Sequence, residues 1–312
     1  MSELAVEARA LRKLFGDVVA VDSVDLQVKR GEVFGIVGPD GAGKTTTFRM
    51  LVGAIEPTAG EAIVAGFNVR THPEEVKRRI GYMSQRFSLY GDLTVQENLD
   101  FFADIYRVPK EQRIARQKEL LEFSRLAPFT RRLAQNLSGG MKQKLALACT
   151  LIHTPEILFL DEPTTGVDPV SRRDFWRILY SLVGRGMTLV VSTPYMDEAE
   201  RCNRIAFMYA GRIIVCDSPD NLRNRMTGDL VELICHPQRE AKRILSHSAG
   251  VQSVQVFGER LHVWLQDADR SIPLIRQALT QANVRIEHIQ PISAGLEDVF
   301  VAIMEAQRRA GG

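Results

Sequence analysis

The 312-residue chain is longer than one ordinary domain, so two domains are expected. It is 45% hydrophobic and 25% charged, with a formal net charge of +2. This balance excludes a disordered chain and gives no broad basic surface for nucleic acid or anionic lipid.

Read in chain order, residues 4–9, 18–28 and 33–37 are short apolar or alternating runs that predict strands. A glycine-rich stretch, GPDGAGKTT (38–46), follows the third run and leads into a helix from Thr45 to about Ala54. GEAIVAG (60–66) predicts a further strand. From about residue 86 to 151 the pattern becomes amphipathic and helical, with Thr94–Ile105 and Lys110–Leu126 as the clearest cases. Ser138, Gly139 and Gly140 stand ahead of a helix expected over Met141–Leu151. ILFLDEP (157–163) and MTLVVSTP (187–194) are continuous apolar runs, as buried parallel strands require, and 204–217 reads as a hairpin turned at Ala210-Gly211. Strands alternating with helices predict an α/β fold with a parallel sheet. The pattern restarts near residue 225 as β-α-β-β-α-β, the ferredoxin-like order, closed by a helix at Leu296–Gln307. The expected domains are therefore 1–225, with a helical subdomain at about 86–151, and 226–312 as a regulatory or dimerising unit.

The opening MSELAVEARALRKLF has no apolar core, so no secretory signal is expected. No run reaches the ~18–20 apolar residues of a transmembrane helix, so any work at a membrane would pass through a partner. Cys149, Cys202, Cys216 and Cys235 lack C-x-x-C spacing and read as reduced thiols in a cytoplasmic compartment. The six histidines show no metal-ligand spacing, and no metal site built from side chains alone is expected.

Chemistry concentrates in a few motifs. Gly38, Gly43, Lys44 and Thr45 satisfy G-x-x-x-x-G-K-[ST], whose backbone N–H groups cradle phosphates at a helix N-terminus. Lys44 can reach the terminal phosphates of a nucleoside triphosphate, and the Thr45 hydroxyl can ligate Mg²⁺. Asp161 and Glu162 end a buried strand, where a carboxylate can hold the metal. Ser138–Gly140 read as a second glycine-permitted anion nest.

The order GPDGAGKTT, YMSQ around Gln85, LSGGMKQ (137–143) and ILFLDEP resembles that of the ABC-type ATPases, over roughly residues 4–225. LEDVFVAIM (296–304) resembles the tail of ATP-binding subunits of drug- and polyketide-type ABC exporters. The resemblance implies a P-loop ABC-type core with a helical subdomain, ATP and Mg²⁺ as cofactors, and an ATPase reaction. It assigns catalysis to Glu162 as general base, Gln85 as sensor of metal and water, and Lys44. Nucleotide would be held by Gly38, Asp40, Gly41, Ala42, Gly43, Lys44, Thr45 and Thr46, and Mg²⁺ by Thr45, Gln85 and Asp161. Phe15 would stack on adenine, a packed core position being the alternative. Ser138, Gly139 and Gly140 would complete the site of an opposite subunit, and Asp168 would lie in the loop crossing that interface. Residues 87–99 resemble the surface that receives a membrane subunit, with apolar core the rival role for Leu93 and Leu99. The partners implied are integral membrane transporter subunits and a second ATPase, in a homodimer or heterodimer, at the cytoplasmic face of the inner or plasma membrane, with no nucleic acid.

Two positions depart from the family. Asp40 replaces the usual Asn and is expected to face solvent or a partner, because a carboxylate aimed at phosphates is repulsive. Pro194 replaces a His that contacts the γ-phosphate, and proline has no side-chain donor. Its fold role is expected to be the first position of a helix capped by Thr193, with Asp197 and Glu198 favouring the helix N-terminus. The competing functions are a soluble ABC ATPase acting on ribosome or DNA and a non-hydrolysing regulatory subunit. The single ATPase unit argues against the first, and the retained Glu162 against the second.

Overall fold

The computed structural model describes residues 3–85 and 89–310, with backbone alone for 306–310. The chain divides into two units, with the boundary along the sequence between Asp217 and Ser218.

The first unit runs β1 (Leu4–Phe15), β2 (Val18–Lys29), β3 (Val33–Val37), α1 (Lys44–Leu51), β4 (Ala59–Val64), β5 (Phe67–Asn68), α2 (Pro73–Arg79), β6 (Ile80–Met83), α3 (Val95–Ile105), α4 (Lys110–Phe123), α5 (Gly139–Thr150), β7 (Ile157–Asp161), α6 (Pro169–Val183), β8 (Thr188–Thr193), α7 (Met196–Ala199), β9 (Arg204–Tyr209) and β10 (Arg212–Asp217). One sheet is antiparallel, in the order β2-β1-β4-β5. The other has the order β10-β9-β3-β8-β7-β6 and is parallel from β9 to β6. Every residue of β3, β7 and β8 is buried, as expected for strands covered on both faces. Phe48 of α1 meets Phe159 of β7 edge-to-face at 5.6 Å, locking the helix after the phosphate loop onto the sheet.

Strand β1 continues past residue 9 to Phe15, because a bulge at Ala10 (φ 48°) breaks the alternation without ending the pairing. Sequence reading left 67–83 and 169–183 unassigned; they form β5, α2, β6 and α6. Helix α3 starts at a capping box, with Thr94 and Glu97 satisfying each other's backbone N–H groups.

The second unit runs α8 (Pro219–Asn224), β11 (Asp229–His236), α9 (Gln238–Leu245), β12 (Val251–Phe257), β13 (Arg260–Leu265), α10 (Ala268–Gln281), β14 (Arg285–Ile292) and α11 (Leu296–Ala310). Its antiparallel sheet, β12-β13-β11-β14, has the expected ferredoxin-like topology. One sheet face (Val231, Leu233, Leu261, Val263) packs with Ala241 and Leu245 of α9 and Ile275 and Leu279 of α10. Among the described residues, no helix is long and apolar enough to cross a membrane.

Candidate nucleotide site at the phosphate loop

The carboxyl ends of β3, β7 and β8 lie side by side, with Val37 in register with Thr193 and Asp161 with Ser192. Ligand sites of parallel sheets form at such ends. The loop leaving β3 needs its glycines. Gly41 and Gly43 have left-handed φ of 77° and 105°, and a Cβ on Gly38 would stand 2.1 Å from the Met208 carbonyl oxygen. Gly43 is the N-cap of α1 and brings no side chain of its own to the helix N-terminus.

Lys44 is buried. Its Nζ donates to the carbonyls of Gly38 (2.8 Å) and Pro39 (3.0 Å) and lies 3.2 Å from Glu162 Oε1. Gln85 Nε2 donates to the other oxygen of Glu162 at 2.9 Å. The Glu162 backbone is left-handed, with φ 49°, and its N–H is anchored to the Ser192 carbonyl (3.0 Å) and hydroxyl (3.1 Å). A non-glycine residue held in that region is typical of a site whose surroundings over-determine it. Asp161, fully buried, accepts from Thr45 Oγ1 (3.1 Å), Ser192 Oγ (2.5 Å) and the Tyr82 hydroxyl (3.4 Å). Burial, reinforced by the Asp161 charge, pushes the Tyr82 phenol up to about 12. A cavity of about 380 Å³ opens between residues 40–46, Val18–Ala20, Gln85 and Glu162.

The structure thus brings together Gly38–Thr46, Gln85, Asp161 and Glu162. Asp40 is solvent-exposed on the cavity rim. Phe15 is 51% exposed, which removes the packed-core alternative; Lys13 Nζ lies 5.2 Å from its ring centre, and the ring is not part of the cavity wall. Ser138, Gly139 and Gly140 do not line this cavity. Ser138 is the N-cap of α5, accepting from Met141 N at 3.3 Å, and the two glycines form the first helical turn. Gly140 has a packing reason that the anion-nest reading missed: a Cβ there would sit 2.6 Å from Ser171. Asp168 caps α6 by accepting from Val170 N and Ser171 N, and these hydrogen bonds hold its carboxyl below the usual range.

In the 87–99 segment, Phe87 and Ser88 lie outside the described residues. Leu99 is a fully buried core residue and Leu93 is half-buried. The buried Asn98 amide ties down Tyr90 (N–H and C=O) and the carbonyls of Leu93 and Thr94. Pro194 corrects one expectation. It is not the first residue of a helix: Tyr195 is the N-cap and α7 starts at Met196. Thr193 Oγ1 instead accepts from Tyr195 N at 3.1 Å. Asp197 and Glu198 stand in the first turn of α7, as expected, and Glu198 is in addition fully buried. Sequence reading also missed Tyr82 and Ser192. Each was detectable as a polar residue at the next-to-last position of a strand beside a motif.

Residues 21–165 match the family described as ABC transporter. The chain is 46% identical over 230 residues to the probable multidrug ABC transporter ATP-binding protein YbhF of Escherichia coli (strain K12), a match covering 73% of this chain and 39% of that protein. It therefore spans well under half of that relative's length. Two matches run almost end to end. The daunorubicin resistance ATP-binding protein DrrA2 of Streptomyces coeruleorubidus is 36% identical over 308 residues, 97% of this chain and 96% of that protein. The Nod factor export ATP-binding protein I of Cupriavidus metallidurans is 36% identical over 306 residues, 97% of this chain and 98% of that protein. Among solved structures, a dimeric ATP-binding cassette in a post-hydrolysis state bound to ADP and Pi is 28% identical, with a TM-score of 0.63 over 68% of this chain and 98% of that one. An ATP-binding subunit of an ABC transporter is 27% identical, with a TM-score of 0.65 over 71% of this chain and 92% of that one.

Proposed function

The chain belongs to the ATP-binding proteins of the ABC transporters, and on that premise we propose that it binds and hydrolyses ATP to drive the membrane subunits of an exporter. The observation that carries this reading is the grip on Glu162, one carboxylate oxygen facing the Lys44 ammonium at 3.2 Å and the other the Gln85 amide at 2.9 Å. Lys44 rests on groups that a triphosphate would replace. Once phosphate oxygens take the ammonium, Glu162 is released to accept the proton of the attacking water, a role worth ~10²–10⁴ in rate.

Thr45, Asp161 and Gln85 offer the hard oxygen donors that suit Mg²⁺, and the loop follows a backbone path that a Cβ on Gly38 or Gly43 would block by striking Met208 or Ala20. Bound there, Mg²⁺ would neutralise charge developing on the phosphates. Ser138 and the first turn of α5 would present N–H groups to the nucleotide of a second ATPase subunit. Export, and separately encoded membrane partners at the cytoplasmic face, are supported by the near full-length relatives named for daunorubicin resistance and Nod factor export.

Pro194 supplies no donor at the end of β8, and losing one such donor commonly costs ~10²–10³ in turnover. We therefore read this chain as the slower site of a heterodimer. ATP turnover of the purified full chain is expected to be low, and Pro194→His to raise it by about ten-fold or more. Fast wild-type turnover that the substitution leaves unchanged would make the chain a self-sufficient homodimer. Recovery from cell extracts with membrane proteins supports the transport reading; recovery with ribosomes or DNA and no membrane protein would overturn it.

A further inference from the structure

Behind the phosphate-loop site lies a second carboxylate that makes no use of the cavity. Glu198, in α7, is fully buried. Its Oε1 accepts from the Thr164 hydroxyl and from Trp176 Nε1 (3.2 Å), with Arg172 Nε 3.9 Å away; its Oε2 accepts from Thr193 Oγ1 (2.7 Å). The residues it joins belong to three segments: the turn after β7, helix α6, and the end of β8 just before Pro194. A buried carboxylate is tolerated only when hydrogen-bonded or paired, so these segments are held to one arrangement.

Both hydroxyl partners lead to the site. The Thr193 carbonyl accepts from Gly38 N at 3.3 Å, the first residue of the phosphate loop. Thr164 precedes Thr165, whose N–H donates to the Glu162 carbonyl (3.3 Å) and whose hydroxyl donates to Glu162 Oε2 (3.5 Å). On the outer side, Arg172 lies over the Tyr195 ring at 4.4 Å and pairs with Asp197 at 3.5 Å, which closes the cluster around Pro194.

We propose that Glu198 is a positioning residue for ATP hydrolysis, clamping the β8–Pro194 segment to the turn that carries Glu162. Resting on the ATPase reading above, it identifies what orients the segment where the usual side-chain donor is missing. With Pro194 unable to anchor itself to nucleotide, the register of this segment is set from behind. A displacement of about 1 Å at a catalytic group is enough to lower turnover up to a hundred-fold.

The test uses the full chain with Glu198→Gln, Thr193→Val and the double variant, measuring kcat, ATP affinity and Tm. Glu198→Gln keeps shape and volume while replacing one acceptor by a donor. Expected are a roughly ten-fold lower kcat, ATP affinity within about two-fold of wild type, and a double variant no slower than Glu198→Gln alone, the pattern of a shared unit acting on the transition state. An unchanged kcat, effects that add, or kcat and affinity falling together with Tm would overturn the proposal. Should wild-type turnover itself be at background, the hydrolysis reading fails, and the clamp is judged by fluorescence. In a Trp264→Phe background Trp176 is the remaining tryptophan of the two in the chain. An ATP-induced change in its emission that Glu198→Gln abolishes supports the clamp. An equal change in both proteins, or none in either, overturns it. If Trp264→Phe does not fold, Trp264→Tyr excited at the red edge of tryptophan absorption serves for the same comparison.

Discussion

Each unit of this chain gathers ionisable side chains around buried carboxylates, and the two clusters are built to opposite purposes. In the first unit Lys44, Asp161 and Glu162 gather at the sheet's carboxyl edge beside an open cavity, on backbone that glycines and a left-handed Glu162 bend inward. In the second, His262 Nδ1 lies 2.5 Å from Asp298 Oδ1, and Glu232 pairs with Arg260 at 2.7 Å. The other Asp298 oxygen accepts from Gly295 N at 2.9 Å, and the His262 ring packs on Phe257. Here the buried carboxylates are spent on other protein groups, and the His262–Asp298 contact fastens α11 to the sheet. At the phosphate loop, Lys44 leans on carbonyls and a carboxylate that phosphate oxygens can replace. Buried charge alone does not mark a reactive site; exchangeable partners next to open space do.

This contrast is open to direct attack. Glu162→Gln should give the largest effect, a fall of about 10³ in ATP turnover with nucleotide binding retained, read in a steady-state phosphate-release assay beside a binding titration. Turnover within ten-fold of wild type would remove Glu162 as the base. Lys44→Ala should weaken ATP binding by about 1.5–3 kcal/mol, the worth of a charge-assisted hydrogen bond, which calorimetry measures directly. Asp298→Ala should destabilise the second unit by about 1–2 kcal/mol in urea, since it leaves the partly buried His262 and Gly295 donors without the carboxylate, while ATP affinity stays as it was. A loss of ATP affinity in that variant would mean that the two clusters are not independent. Smallest of all, Asp40→Asn should tighten ATP binding about two- to five-fold at low salt and hardly at all at high salt, as expected for an exposed like charge at the rim.

The periodic parts of the molecule were legible in the residues. Continuous apolar runs predicted β7 and β8, and the β-α-β-β-α-β order of the second unit is present element for element. The phosphate loop was legible because its backbone requirement is local: glycine where φ must be positive, lysine at the start of the helix. Pro194 was misplaced, and the buried contacts of Glu198 went unseen, for the opposite reason. Both were read against the nearest helix end, whereas Glu198 finds its partners in Thr164 and Trp176, 34 and 22 residues back along the chain. Gly140 was read as an anion nest, when its missing Cβ also makes room for Ser171 of α6.

By itself, then, the sequence determined most of the elements, the glycine-rich loop after β3 and the identity of the acids at the end of β7, because each depends on short-range backbone geometry and hydrophobic period. Only the tertiary structure decided which groups face one another: Gln85 against Glu162 across 77 residues, Thr45 against Asp161 across 116, and Glu198 against Thr164 and Trp176. Those pairings follow from the order in which parallel strands are laid side by side. A buried side chain takes its hydrogen-bond partners from whichever strands become its neighbours.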